Sequence, residues 1–267
     1  MAAPLLKSSE CEGVALLGDP GRPGGVTLAF TGRRGGVSEA PFDSLNLGTH
    51  VGDEPASVAE NRRRVLAAMG GEELLGSLVV PNQVHGTEVR VIRDGSPASL
   101  ASVRQDVARG CDAIVCVAPD VPVMLCFADC ASVILACEGG FAVAHSGWRG
   151  TIGRIAGKAL GALCAETGRE PGEVSCYVGP HIAGIDYEVS DDLLRRFVAE
   201  FGERVVAGER RLSLLEAIRS ALLDAGADAA MIVDSGISTA IACDRYCSYR
   251  ESGGKCGRHG AVAFMRR

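Results

Sequence analysis

Three apolar runs lie almost end to end in this chain: PVMLCF (122–127), SVILAC (132–137) and FAVAH (141–145). A crossover between parallel strands needs about a dozen residues or more, and the gaps here are far shorter. Strands this close are expected to be antiparallel neighbours, so any sheet they join is at least mixed. Further runs read as strands: VTLAF (26–30), EVRVI (88–92), AIVCV (113–117), VSCYV (174–178) and MIV (231–233). Four amphipathic segments read as helices. The first runs from Pro55 to Met69 and stops at Gly70-Gly71, and the second, TIGRIAGKALGALCAET, starts near Thr151 and ends at Gly168. The third, DDLLRRFVAEF, follows Ser190 as its cap, and the fourth starts at Ser213, with Glu216 completing a capping box.

This alternation predicts an α+β fold of mixed β-sheets packed with helices. A single catalytic domain is expected over 26–267, preceded by an N-terminal extension over 1–25. The stretch RDGSPASLASVRQDVARG (93–110) reads as an irregular insertion. Aromatic residues make up only 4% of the chain, so the core must rest on Val, Leu, Ile and Ala. A formal charge of −6 argues against a nucleic acid polymer or an anionic membrane as partner, but not against a local basic pocket for a small anion. No apolar run reaches the roughly eighteen residues that suggest a membrane span, and the N-terminus lacks the pattern of a secretory signal. The eleven cysteines are odd in number, and Cys116, Cys126 and Cys137 sit inside apolar runs, as free thiols do. A cytoplasmic protein is expected.

Three polar interruptions invite a metal. PNQVHGTEV puts His85 on a turn before a strand, CFADCASV puts Cys130 in a tight connection, and FAVAHSGWRGT puts His145 at a strand end. Ligands so far apart, with no CxxC knuckle, are unlike a zinc finger and closer to catalytic zinc, which keeps its fourth position open. The alternative is a turn histidine, a buried thiol and a capping histidine that never meet. In HSGWRGT a Gly-rich turn into a helix could present N–H groups to an anion, with Arg149 adding charge; a plain turn anchored by Trp148 reads equally well. In TGRRGGVS (31–38) Gly35-Gly36 could simply form a hairpin turn. Near the C-terminus Cys243, Cys247, Cys256 and His259 have tolerable spacing for a structural zinc ribbon. A strand, a glycine loop and a final strand AVAFM is the competing reading.

Taken in order, GRRGGVS, SLNLGTHVGD, NRRRV, NQVHGTEV, ADC, HSGWRGT, YVGPHI with YEV after it, and SYRESGGKCGR resemble the polyphenol oxidase or laccase-domain family. That family is regarded as zinc-dependent purine nucleoside phosphorylases, with one branch called peptidoglycan editing factor. The resemblance implies that His85, Cys130 and His145 bind Zn2+ and form the catalytic centre. It implies phosphorolysis of adenosine, inosine and methylthioadenosine to base and ribose 1-phosphate, with adenosine deamination as a side activity. Arg33, Asn46, Arg149 and Arg250 fall in these motifs and are the expected substrate or phosphate contacts. The chain departs from the family pattern at His181, where a cysteine is common, and at Glu251 in the loop after Arg250. Copper oxidation is not expected, because the five histidines include no His-x-His pair. Two rivals remain: a metal-free cysteine hydrolase or amidase acting on peptidoglycan precursors, with Cys130 as nucleophile and His145 as base, and a non-catalytic nucleotide-binding module.

Overall fold

A computed structural model describes residues 3–267. The described chain opens with a hairpin, β1 (Lys7–Cys11) and β2 (Val14–Gly18), followed by β3 (Val26–Thr31). Glu12 and Gly13, at φ 51° and 79°, form the hairpin turn, both in the left-handed region that tight β-turns demand. Helix α1 (Pro55–Ala68), β4 (Val89–Ile92) and helix α2 (Pro97–Val107) come next. Then β5 (Ala113–Cys116), β6 (Val123–Phe127), β7 (Ala131–Cys137) and β8 (Gly140–Ser146) run close together. Helices α3 (Trp148–Ile152) and α4 (Ile155–Thr167) lead to β9 (Ser175–Val178) and α5 (Asp191–Phe201). A short pair, β10 (Val206–Gly208) and β11 (Arg211–Leu212), precedes α6 (Leu214–Asp224), β12 (Ile232–Asp234) and β13 (His259–Met265).

Two large sheets result. One is antiparallel with strand order β1-β2-β3-β13-β6. The other has order β12-β9-β7-β8-β5-β4 and is mixed, with β12–β9 and β4–β5 parallel. Alternation of side chains along the strands stacks them into four layers. In β6, Val123, Leu125 and Phe127 meet Ile134 and Ala136 of β7 and Phe141 and Val143 of β8 in the core between the sheets. The opposite parity, Met124 and Cys126, packs with Val65 and Leu66 of α1 outside the antiparallel sheet. Val133 and Leu135 of β7 face Ala156, Leu160 and Leu163 of α4 and Ala217 and Ile218 of α6 outside the mixed sheet. Each of the Val, Leu, Ile, Phe and Met side chains among these, fully buried, contributes roughly 1.5–3 kcal/mol, so the layering is strongly specified. The α+β expectation is met.

Several expectations are corrected. β6 and β7 are not sheet neighbours: β6 pairs with β13, β7 pairs with β8 and β9, and the chain crosses from one sheet to the other between Phe127 and Ala131. Both strands are buried on both faces, so no polar face betrays which sheet each one joins. Within the expected N-terminal extension, β1 and β2 (Lys7–Gly18) join the antiparallel sheet at its edge. The stretch 93–110 holds α2, whose cap is Ser96 and whose Leu100 and Val107 enter the inter-sheet core. The helix expected from Thr151 starts at Trp148 and breaks at Gly153-Arg154, with Arg154 left-handed at φ 60° and tied to Glu200 and Asp224. Cys243–Arg250 forms turns rather than a strand. The caps form, with Ser190 Oγ accepting from Leu193 N–H and Ser213 Oγ from Glu216 N–H, but the expected capping box does not close, because the Ser213 N–H donates to the Val205 carbonyl instead.

Candidate metal centre and its cavity

The sheet crossing places the chemistry. Ala128-Asp129-Cys130 carries the chain from β6 to β7, and Asp129 takes a left-handed φ of 77° to make the turn. Cys130 therefore stands at the seam between the sheets, next to His145 near the end of β8. His85 arrives from the turn before β4, itself left-handed at φ 60°, an uncommon conformation for histidine. Gln83 holds that turn against β6: its amide donates to the Cys126 carbonyl and accepts from the Cys126 N–H, both at 2.8 Å.

One buried carboxylate organises the rest. Asp112, directly before β5, accepts from the backbone N–H of His85 at 2.9 Å, Gly86 at 2.7 Å and Val84 at 3.2 Å. The same carboxylate meets His145 Nδ1 at 2.7 Å. With the proton held on Nδ1, the Nε2 lone pair of His145 is free for a ligand, as in carboxylate–histidine–zinc arrangements. Burial would raise the Asp112 pKa, yet the His145 ring and the Gly86 and Val84 amides outweigh it and keep the carboxyl below its usual range.

The donor atoms of His85, Cys130 and His145 all lie within 4.8 Å of one another, and among the described residues no other three such side chains cluster in this way. Gly147 explains the glycine of HSGWRG: a Cβ there would stand 3.0 Å from Cys130 Sγ and 3.1 Å from His85 Cδ2. Burial would push the Cys130 thiol up, but the charge of His145 and hydrogen bonds to both histidines bring it down to about 6. For His145, burial favours the neutral ring, yet the Cys130 thiolate and Asp112 raise it to about 9. A thiol held anionic beside two imidazoles, with a glycine clearing the space between them, suits a soft divalent ion such as zinc.

All three line a cavity of about 530 Å³, with His50, Gln83, Asp129, Trp148, Tyr187, Tyr249, Arg250 and Arg258 among its other walls. Asp129 fixes one wall: it accepts from Thr239 Oγ1 at 2.6 Å and from the Arg250 N–H at 2.7 Å. The Arg250 guanidinium lies 5.5 Å from the centre of the Tyr187 ring.

Of the expected substrate contacts, only Arg250 lines this cavity. Arg33 donates to the carbonyls of Asp43 and Cys243 and pairs with the Asp43 carboxylate, so it braces two loops. Arg149 is exposed and stacks 4.6 Å from the centre of the Trp148 ring. Asn46 is wholly buried, and its amide is used up on Gly48, Asp53 and the Arg258 N–H. His181 is buried, with Nδ1 against the Gly179 carbonyl. The C-terminal donors do not cluster: Cys243 is exposed, while Cys247, Cys256 and His259 are buried and His259 Nδ1 accepts from the Cys247 N–H. Sequence reasoning missed Asp112, His50, Gln83, Tyr187 and Arg258 as site residues; NQVHG, LGTH, YEV and SYRESGGKCGR contain four of them, but nothing local marks their direction.

Fold and site together define an α+β protein with a three-donor His/Cys/His centre at the seam of two sheets. The chain belongs to the family described as multi-copper polyphenol oxidoreductase laccase, which matches residues 27–266. It is 36% identical over 246 residues to a purine nucleoside phosphorylase of Deinococcus radiodurans, covering 91% of this chain and 90% of that one. It is 30% identical to purine nucleoside phosphorylase YlmD of Bacillus subtilis, over 87% of this chain and 86% of the relative. The crystal structure of YlmD from Geobacillus stearothermophilus superposes with a TM-score of 0.85 at 29% identity, covering 99% of this chain and 100% of that one. A Bacillus licheniformis hypothetical protein, YfiH, gives 0.86 at 27% identity, covering 96% and 98%.

Proposed function

We propose that this chain is a zinc-dependent purine nucleoside phosphorylase, acting on adenosine, inosine and methylthioadenosine to yield the free base and ribose 1-phosphate. The observation that carries the proposal is the His85/Cys130/His145 group opening onto a cavity of nucleoside size, in a chain whose relatives are named for this activity. Trp148, Tyr187 and Tyr249 offer aromatic faces to a purine, and Arg250 and Arg258 offer donors to ribose or phosphate. Zinc held by His85, Cys130 and His145 would supply Lewis acidity at the open side of the centre. Asp112 orients His145 and the His85 turn, and Asp129 holds the Arg250 loop against the cavity. Deamination of adenosine as a side activity is part of the same reading. The word multi-copper in the family description fits poorly: five histidines without a His-x-His pair cannot furnish several copper sites.

Purified protein should release hypoxanthine from inosine only when phosphate is supplied. Equal release without phosphate would make it a hydrolase instead. A second reading, the cysteine hydrolase or amidase acting on peptidoglycan precursors, draws on the low pKa of Cys130 beside a protonated His145. A Cys130→Ala protein that keeps its metal in full but loses activity would favour it.

A further inference from the structure

Of the expected substrate or phosphate contacts, Arg33, Asn46 and Arg149 lie outside the cavity and only Arg250 lines it, so no one group of the expected residues forms a seat for phosphate. A second hollow of about 220 Å³ adjoins the main cavity, sharing His50, Gln83 and Cys126 with it and adding Arg62, Gly48 and Thr49. Three basic side chains converge at this junction. Arg62, from α1, is pinned by Nε and Nη2 to the Leu47 carbonyl at 3.0 and 2.7 Å. The Leu47 N–H donates in turn to the Arg258 carbonyl at 3.0 Å, so one residue sets both arginines in register. Gly48 lets His50 and Arg258 close on each other: a Cβ there would stand 2.9 Å from Arg258 Cγ and 3.2 Å from His50 Cε1. Buried Asn46 clamps the same segment through Gly48 and the Arg258 N–H, which gives it a positioning role.

Neither guanidinium is neutralised. Both arginines are half-buried, yet among the described residues neither pairs with a carboxylate: Arg62 has the Leu47 carbonyl and the Cys126 thiol, and Arg258 Nη1 donates to the Cys256 and Gly257 carbonyls while its Nε and Nη2 make no hydrogen bond. Burial lowers the His50 pKa first, and Arg258 and Arg62 lower it further, as expected when three basic groups share one pocket. Two uncompensated guanidiniums on a scaffold of backbone bonds form a preorganised seat for a tetrahedral oxyanion.

We propose that His50, Arg62 and Arg258 bind the phosphate co-substrate, at the junction of the two hollows and beside the metal centre. This rests on the phosphorylase reading above. Phosphate seated there faces the cavity that holds the nucleoside, and its oxygen would form the new bond to the ribose anomeric carbon as the bond to the purine nitrogen breaks. The electron pair leaves with the base, and the proton that hydrogen phosphate gives up on becoming an ester ends on the purine nitrogen by way of solvent.

The test uses the full-length, metal-loaded protein with Arg258→Gln, Arg62→Gln and His50→Gln, and with Arg33→Gln and Arg149→Gln for comparison. Three readouts are taken: phosphate KM during inosine phosphorolysis, the saturable rise in melting temperature that inorganic phosphate alone produces, and the same rise with inosine 5′-phosphate. Removing a charge-assisted bond to an anion should raise the phosphate KM at least about tenfold, with inosine KM changing far less and metal content unaltered. Phosphate-induced stabilisation should shrink in parallel, and Arg258→Lys should recover part of both. Should Arg258→Gln fold poorly, His50→Gln and Arg62→Gln carry the same comparison. Saturable phosphate binding that these variants abolish, without phosphorolysis by the parent protein, supports the anion site and sinks the phosphorylase reading. Phosphorolysis with an unchanged phosphate KM in all three, or a rise confined to Arg33→Gln or Arg149→Gln, overturns the site. Selective loss of inosine 5′-phosphate binding, with inorganic phosphate unaffected, overturns it too and assigns the seat to a nucleotide's own phosphate.

Discussion

Asp112 sets the geometry of the His85/Cys130/His145 group without belonging to it. Its two oxygens hold three amides of the His85 turn and the His145 ring, so one substitution disturbs two donors. Asp112→Asn puts an amide among donors it cannot accept from fully, and metal affinity should fall about 10–100-fold by competitive chelation. The same change should cost about 1–3 kcal/mol in urea unfolding of the metal-free protein, because buried amides lose a partner. Unchanged metal affinity would reject the orienting role. Cys130 provides a second check. Without metal its thiol titrates at about 6, so iodoacetamide should label it readily at pH 7, more slowly below pH 6, and hardly at all once zinc is bound. Labelling with an ordinary thiol profile, centred near pH 8 to 9, would contradict the ion pair with His145. The three donors were legible because each interrupts an apolar run with a polar turn. Asp112 was not, since an aspartate before a strand looks like any turn residue until the fold brings two distant histidines to it. Asn46 misled for the converse reason: its place in SLNLGTHVGD says nothing about whether its amide faces a ligand or the backbone.

At the level of elements, the β6–β7 crossing decides where the site can form. Asp129 makes that turn and also secures the Arg250 loop through the Arg250 N–H and Thr239 Oγ1. Asp129→Ala should free the loop: hydrogen exchange over 248–254 should quicken, and the nucleoside KM should rise about tenfold while metal content stays the same. Unaltered exchange in that loop would show that other contacts hold it. The spacing of the runs revealed every strand of the mixed sheet and the final strand, but not the sheet membership of β6. A short gap fixes adjacency within one sheet only when nothing else can absorb the reversal. Here a left-handed aspartate and two stacked sheets absorb it. The helix α2 was hidden because Pro97, Ser99 and Ser102 read as loop composition, whereas Leu100 and Val107 were enough to dock it on the core.

Across the whole molecule, stability should respond to acid through His259. It is fully buried between Phe127 and Tyr246, and burial, with Arg258 and Arg33 nearby, lowers its pKa to about 3 in the folded state. The unfolded chain takes up this proton near pH 6.5 and the folded chain only near 3, so the stabilisation is present above pH 6.5 and is lost as pH falls toward 3. In chelator-treated protein the urea midpoint should decline over that window, and His259→Gln should flatten the decline; an identical slope in the variant would reject the assignment. The central claim concerns the metal. Elemental analysis of the protein purified without chelator or added metal should find about one zinc per chain, and Cys130→Ala or His145→Ala should lose zinc and phosphorolysis together. Copper in place of zinc, or full phosphate-dependent cleavage of inosine by protein stripped of metal, would contradict it.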